Sequence, residues 1–185
     1  GAGDVTLRMS VGVNSGSFDM VLAGDERSHR ELIVCGPAVS TTARLESAAG
    51  AGQIVVGATT ARALPAKVLG AAVAAGPDDG FVLRSLPDAP PRPAPLRDGS
   101  HDPGIAVAIP PRLRDRILAG TGLPEHRLIA VAFVRFAGTD ALRATDGPEA
   151  LAEAVDVCIR NVQEAVLEHG VTFFETDIDV DGGKI

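Results

Sequence analysis

Apolar and polar positions along the chain fall into a strand–helix–strand unit near the N-terminus and a second such unit near the C-terminus. Leu32, Ile33, Val34 and Cys35 form a short apolar run that ends at Gly36-Pro37, a turn in which proline can open a helix. Val39, Ala43, Leu45 and Ala49 recur at helical spacing until Gly50 and Gly52 stop them, and Gln53 to Val56 reads as a buried strand. Upstream, Val5 to Val13 alternates as a strand into the Asn14-Ser15-Gly16 turn, and Phe18 to Leu22 is apolar again before a charged loop over 24–30. Downstream, Ala58 to Leu64 predicts a short helix ending near Pro65, and Phe81 to Leu83 an edge strand.

The C-terminal unit starts with Leu128 to Phe136 (LIAVAFVRF), whose unbroken apolar character predicts a strand buried on both faces. An amphipathic helix follows over 148–169, with Leu151, Ala154, Val155, Cys158, Val162, Ala165 and Val166 on its apolar side. Gly147-Pro148 starts it and Gly170 ends it. Val171 to Thr176 then reads as a strand, and Asp177 to Lys184 as a turn entering the next. Between the two units, nine of the thirteen prolines lie within 87–124. That stretch predicts an extended linker, with at most one or two helical turns over Pro111 to Gly120. The pattern predicts an α/β fold arranged as residues 1–86, a Pro-rich linker over 87–126, and residues 127–185. Both ends read as interior to a longer protein.

Composition narrows the function classes. The 185 residues carry a formal charge of −7, and no basic cluster is interleaved with aromatics, which argues against a nucleic-acid surface. A hydrophobic fraction of 45%, with six Phe and neither Trp nor Tyr, predicts a mainly aliphatic core. Cys35 and Cys158 sit inside apolar patterns and read as buried free thiols. No signal peptide and no membrane-length apolar run is present, so a soluble cytoplasmic protein with no membrane association is expected.

Three spaced motifs then carry a resemblance. They are Arg8-Met9-Ser10-Val11-Gly12-Val13-Asn14-Ser15-Gly16, Gly36-Pro37-Ala38-Val39-Ser40-Thr41-Thr42-Ala43-Arg44, and Gly52-Gln53-Ile54-Val55-Val56. In order and spacing they resemble the C-terminal half of a class III nucleotide cyclase catalytic domain, with its RxGxxxG, GxxVNxAxR and GxIxV signatures. Phe133-Val134-Arg135-Phe136-Ala137-Gly138 resembles the family's opening FxDxxG with one change, and His169-Gly170 followed by 176–183 resembles the region before its second metal carboxylate. The resemblance implies the back half of one cyclase domain, a linker and the front half of a second, each part of a ferredoxin-like sandwich with helices over one side of the sheet.

The resemblance also implies a chemistry. Cyclase sites form between two domains. One domain offers two Asp that hold Mg or Mn. The other offers an Asn for the ribose, an Arg for the transition-state phosphorus and a base-selecting residue, and ATP becomes cyclic AMP and pyrophosphate. Here the Arg position holds Arg44, the Asn position Ser40, the base-selecting position Ile33, the first metal position Arg135, and the second metal position Asp181. Three of these five are changed, so the resemblance implies a degenerate site in this segment. Two function classes follow from it: a segment of a cyclase that works through its other halves, or a non-catalytic regulatory or dimerisation module that binds a nucleotide or small anion, with Arg44 and Arg135 facing one cavity. Neighbouring cyclase half-domains or a second copy are the partners it implies.

Plainer readings stand beside these. Arg44 also reads as a salt-bridged surface residue, Ser40 as a cap or turn residue, Arg135 as the exposed end of a strand, and Ile33 as core. Asp177-x-Asp179-x-Asp181-Gly182 matches the start of an EF-hand loop, yet follows a strand pattern and equally reads as an acidic hairpin turn. Gly182-Gly183-Lys184-Ile185 lacks the upstream glycine and the final Ser/Thr of a P-loop. His29, His101, His126 and His169 have no metal-ligand spacing and are expected at the surface.

Overall fold

A computed structural model describes residues 6–85, 103–120 and 128–185. In chain order the strands are β1 (Val11–Val13), β2 (Asp19–Ala23), β3 (Glu31–Cys35), β4 (Ile54–Gly57), β5 (Leu69–Ala75), β6 (Asp78–Leu83), β7 (Arg135–Ala137), β8 (Asp177–Asp179) and β9 (Gly182–Lys184). The helices are α1 (Pro37–Ala48), α2 (Ala58–Ala61), α3 (Pro111–Leu118) and α4 (Thr139–Glu168). The fold is mixed α/β, and the described residues form two compact units, 6–18 with 36–85 and 19–35 with 103–120 and 128–185. The β2–β3 hairpin, which lies in sequence between β1 and α1, therefore packs with the C-terminal residues.

In the first unit the sheet order is β1-β4-β6-β5. β1 and β4 run parallel, with Val11 opposite Ile54 and Val13 opposite Val56, while β6 lies antiparallel to both β4 and β5. The parallel pair needs a crossover, and α1 supplies it. Leu45 of α1 and Val55 of β4 are fully buried and pack with Ala75, Val73 and Val82. β6 is thus an interior strand, whereas the short apolar run at 81–83 predicts an edge. The edges are β1 and β5, and the Ala-rich sequence Leu69–Ala75 conceals β5 from pattern reading.

In the second unit β2 and β3 form an antiparallel hairpin whose alternate residues Val21, Ala23, Ile33 and Cys35 turn inward. They meet Leu151, Val155 and Ile159 of α4 and Phe173. The buried positions of α4 after its kink are Leu151, Val155, Ile159 and Gln163, a stripe with a step of four. Gly147, at φ 90° and ψ 178°, breaks the helix, and Pro148 restarts it where the sequence places a helix start. The turns 139–146 before the kink are helical as well, which apolar spacing does not reveal.

β7, β9 and β8 make a separate antiparallel sheet in that order. Of the run Leu128 to Phe136 only the end is strand. Leu128, Ile129, Val131 and Phe133 are exposed, and Val134 joins the pairing through reciprocal backbone bonds with Ile185. The expected doubly buried strand is therefore not formed over 128–133: among the described residues no strand pairs with that stretch. The expected strand over 171–176 is irregular too, with β8 starting at Asp177. Of the linker, 87–102 and 121–126 lie outside the described residues, while 103–108 is a 3-10 turn and α3 spans two turns. Both cysteines are free; Cys35 is buried and Cys158 half-buried. Burial, with Asp19 and Asp140 nearby, pushes the Cys35 thiol up to about 11, so it stays protonated and inert near neutral pH. Among the described residues no helix is long and apolar enough to cross a membrane.

Candidate functional site

Gly36, at φ 108°, caps α1 without a side-chain hydrogen bond, and Pro37 takes the first helical position, where its missing N–H costs nothing. Ser40 is therefore no cap: it is buried within the helix at 1% exposure. Arg44 lies one turn further along. Its Nε donates to Asp78 Oδ2 at 2.9 Å, and Nη2 stands equally close to the same oxygen. Thr41 Oγ1 donates to that oxygen as well, at 3.0 Å. Asp78 opens β6 directly after the turn at Gly76-Pro77, so a strand and a helix that are remote in sequence meet at this ion pair. The pair is partly exposed, which places its net worth at the modest end for salt bridges.

Thr41 and Asp78 also line a cavity of about 280 Å3, together with Asn14, Ser15, Thr59 and Asp79. Its wall is built by the β1 turn, the start of α1 and the β5–β6 turn. Asn14 Nδ2 donates to the Ala38 carbonyl, and the Ser15 and Thr60 hydroxyls lie 3.0 Å apart, so the turn is tied to both α1 and α2. The lining mixes hydroxyl, amide and carboxylate groups with the apolar surface of Pro37, Ala38 and Ala58.

The remaining candidates belong to the second unit. Ile33 is 5% exposed among Val21, Cys35, Leu151 and Val155, a core residue with no polar function. Arg135 lies on β7 opposite Lys184 of β9. Its Nε donates to Asp179 Oδ2 at 3.0 Å and its Nη2 to the Val180 carbonyl at 3.0 Å. Lys184 Nζ is 3.8 Å from the same Asp179 oxygen. The Val180 N–H first, then Arg135 and Lys184, hold the Asp179 carboxyl below its ordinary range against the opposing cost of burial. Arg44 and Arg135 thus each meet a carboxylate within their own unit.

Asp181 stands in the β8–β9 turn with φ 58°, a left-handed conformation that aspartate tolerates. Its carboxylate accepts the N–H of Asp140 at 2.8 Å and of Gly138 at 3.1 Å, and its carbonyl accepts from Gly138 and Thr139. It caps α4 from a neighbouring hairpin, a favourable place for negative charge. Asp177 accepts the N–H of Ile178, so the three alternate aspartates of this turn do not converge. Among the described residues no group of three or more His, Cys, Asp or Glu is placed to hold a metal ion. A divalent metal does not fit the donor set here, because Asp179 already faces two cationic side chains and Asp181 is bound to backbone amides. Replacing Asp181 by Ala should cost about 1 kcal/mol through the lost cap, while Asn, which tolerates the backbone and keeps one acceptor, should lose less. Thermal unfolding measures both; a manganese-dependent rise in Tm that either variant abolishes would assign the carboxylate to a metal instead.

Pattern reading missed a buried polar chain. His29, expected at the surface, is fully buried. Its Nδ1 lies 3.2 Å from Ser28 Oγ and its Nε2 2.7 Å from Glu31 Oε1, and Thr176 Oγ1 donates to the other Glu31 oxygen. Phe173 packs edge-on against the imidazole. His169 is exposed, whereas His101 and His126 lie outside the described residues. At the loop's other end Asp156 accepts the Gly24 N–H at 2.8 Å and Arg160 Nε at 2.6 Å. Burial raises the Asp156 pKa, but these two hydrogen bonds and the charges of Arg160 and Arg30 together leave the carboxyl below its ordinary value. A charged loop between two short strands gives no local signal of such burial.

Comparison with known proteins bears on the first unit most directly. Residues 2–74 match the family model of the adenylate and guanylate cyclase catalytic domain. No curated protein and no solved structure matches the chain.

Proposed function

We propose, from the match of residues 2–74 to the family model of the adenylate and guanylate cyclase catalytic domain, that the chain is a segment of a class III adenylate cyclase-like protein whose site in this segment is degenerate. The intact protein converts ATP to cyclic AMP and pyrophosphate with Mg or Mn, in the cytoplasm, through carboxylates and an Asn–Arg pair carried on other half-domains. Residues 127–185 are read as the front half of a second cyclase-like domain, and neighbouring half-domains or a second copy are the partners.

The observation that carries this reading is the state of Arg44. It keeps the family position on α1, yet a carboxylate of its own unit already neutralises it. Ser40 and Ile33 support the same reading, since both are buried where the family places polar contacts. Arg135 supports it from the metal side, because a guanidinium stands in place of a carboxylate and cannot ligate a cation.

The second reading is a non-catalytic regulatory or dimerisation module that binds a small anion or nucleotide, with Thr41 and Arg44 as the phosphate-class donors on α1. Incubation with ATP and manganese, followed by mass spectrometry for cyclic AMP, separates catalysis from its absence. The chain should give no product above the background of an Arg44→Ala control. Turnover that Arg44→Ala abolishes would overturn the degenerate-site reading.

A further inference from the structure

We propose that Asp78 occupies Arg44 as a built-in anion, so that the β5–β6 turn closes this cavity to phosphate groups. The proposal rests on the reading of Arg44 as the residue of the phosphate-handling position and adds the element that withholds it.

Three observations carry it. First, a single carboxylate oxygen, Asp78 Oδ2, collects Arg44 Nε, Arg44 Nη2 and Thr41 Oγ1, at 2.9, 2.9 and 3.0 Å. An oxygen that takes a guanidinium and a hydroxyl together is placed as a phosphate oxygen would be, since phosphate and carboxylate share these donors. Second, the arrangement is held from both sides. Thr41 and Arg44 are three residues apart and share a helix face, with Arg44 Nη2 also reaching Thr41 Oγ1 at 3.4 Å. Gly76, at φ 69°, brings the turn so close that a Cβ there would lie 3.1 Å from Arg44 Cδ. Third, the two groups that meet beside Arg44, the Thr41 hydroxyl and the Asp78 carboxylate, border open space. Thr41 and Asp78 line the cavity of about 280 Å3, and Asp79 adds a second carboxylate to the wall. With Asp78 paired to Arg44, the unbalanced charge among the lining residues is the negative one of Asp79. An incoming phosphate meets repulsion and, among the described lining residues, no cation.

The test uses inorganic pyrophosphate as the probe, with the full chain and matched variants. Asp78→Asn keeps an oxygen for Arg44 and Thr41 but removes the charge. Asp79→Asn removes the same charge from the cavity wall without touching Arg44. Titration calorimetry should show binding by Asp78→Asn at least about tenfold tighter than by the unaltered chain or Asp79→Asn, and Arg44→Ala in the Asp78→Asn background should abolish the gain. An equal gain in the two Asn variants would reduce the effect to net charge and overturn the proposal, as would no gain in either.

Should Asp78→Asn fail to fold, the unaltered chain still decides. Its Arg44 Nε–Hε nuclear magnetic resonance signal should stay in place as pyrophosphate is added, and movement of that signal on saturable binding would sink the idea. Failure of the degenerate-site reading is seen separately, as cyclic AMP made by the unaltered chain, which this binding test does not measure.

Discussion

Gly12→Ala should destabilise the first unit by about 3 kcal/mol or more, a loss at the upper end for overpacking because what resists is backbone. A Cβ on Gly12 would lie 2.5 Å from the Glu46 backbone nitrogen and 2.5 Å from the Thr42 carbonyl oxygen of α1. Neither atom can move without shifting the helix that carries Ser40 and Arg44. The glycine of the Arg8–Gly16 motif is therefore explained by close approach of strand to helix, since its backbone conformation is ordinary. Gly80→Ala is the informative comparison. Its Cβ would meet Leu45 Cδ2 at 2.6 Å and Val55 Cγ1 at 2.7 Å, with the Val56 carbonyl oxygen at 3.3 Å, so its closest contacts are side-chain ends and not helix backbone. The loss there should be smaller, roughly 1–2 kcal/mol. Thermal unfolding followed by circular dichroism ranks the two. Equal losses would mean that α1 is free to move away from β1, and the positioning of Arg44 argued above would lose its anchor.

The same contrast explains how much of the molecule could be read from its sequence. β3, α1 and β4 are legible because each is a local pattern: an apolar run, a helical repeat opened by Gly36-Pro37, and a second run after a glycine stop. The α4 restart at Pro148 is legible for the same reason. β5 is not, because Leu69–Ala75 is nearly all Ala and Gly and carries its strand identity in pairing with β6. The run Leu128 to Phe136 misleads in the opposite direction. It has every side-chain mark of a buried strand, yet strand structure also needs a hydrogen-bonded neighbour, and pairing with β9 reaches back only to Val134.

Site residues divide along the same line. The identities at positions 33, 40, 44 and 135 are visible in the sequence, and so is the chemistry each can and cannot perform. Their partners are not. Asp78 lies 34 residues beyond Arg44, and Asp179 lies 44 residues beyond Arg135. No periodicity links residues across such distances, so the fact that decides what Arg44 can bind comes from tertiary packing alone.

Gln163→Leu tests the least legible of these features and should cost the second unit about 2–4 kcal/mol, the sum for two buried backbone groups left unsatisfied. Gln163 is 1% exposed at the end of an otherwise apolar stripe on α4. Its Oε1 accepts the Asp25 N–H at 2.7 Å, and its Nε2 donates to the His29 carbonyl at 2.8 Å. One amide thereby closes the loop between β2 and β3 at both ends, and Gly24, at φ 108°, leaves no room for a bulkier turn beneath it. Leucine has nearly the same volume and a better helix propensity, so a purely packing role predicts little change or a slight gain. Loss of the two hydrogen bonds predicts a lower Tm together with faster exchange of the Asp25 amide. Should Gln163→Leu instead match the unaltered protein in both readouts, the loop would be held by Asp156 and the His29–Glu31 pair alone. The buried amide would then have no part in joining the β2–β3 hairpin to α4.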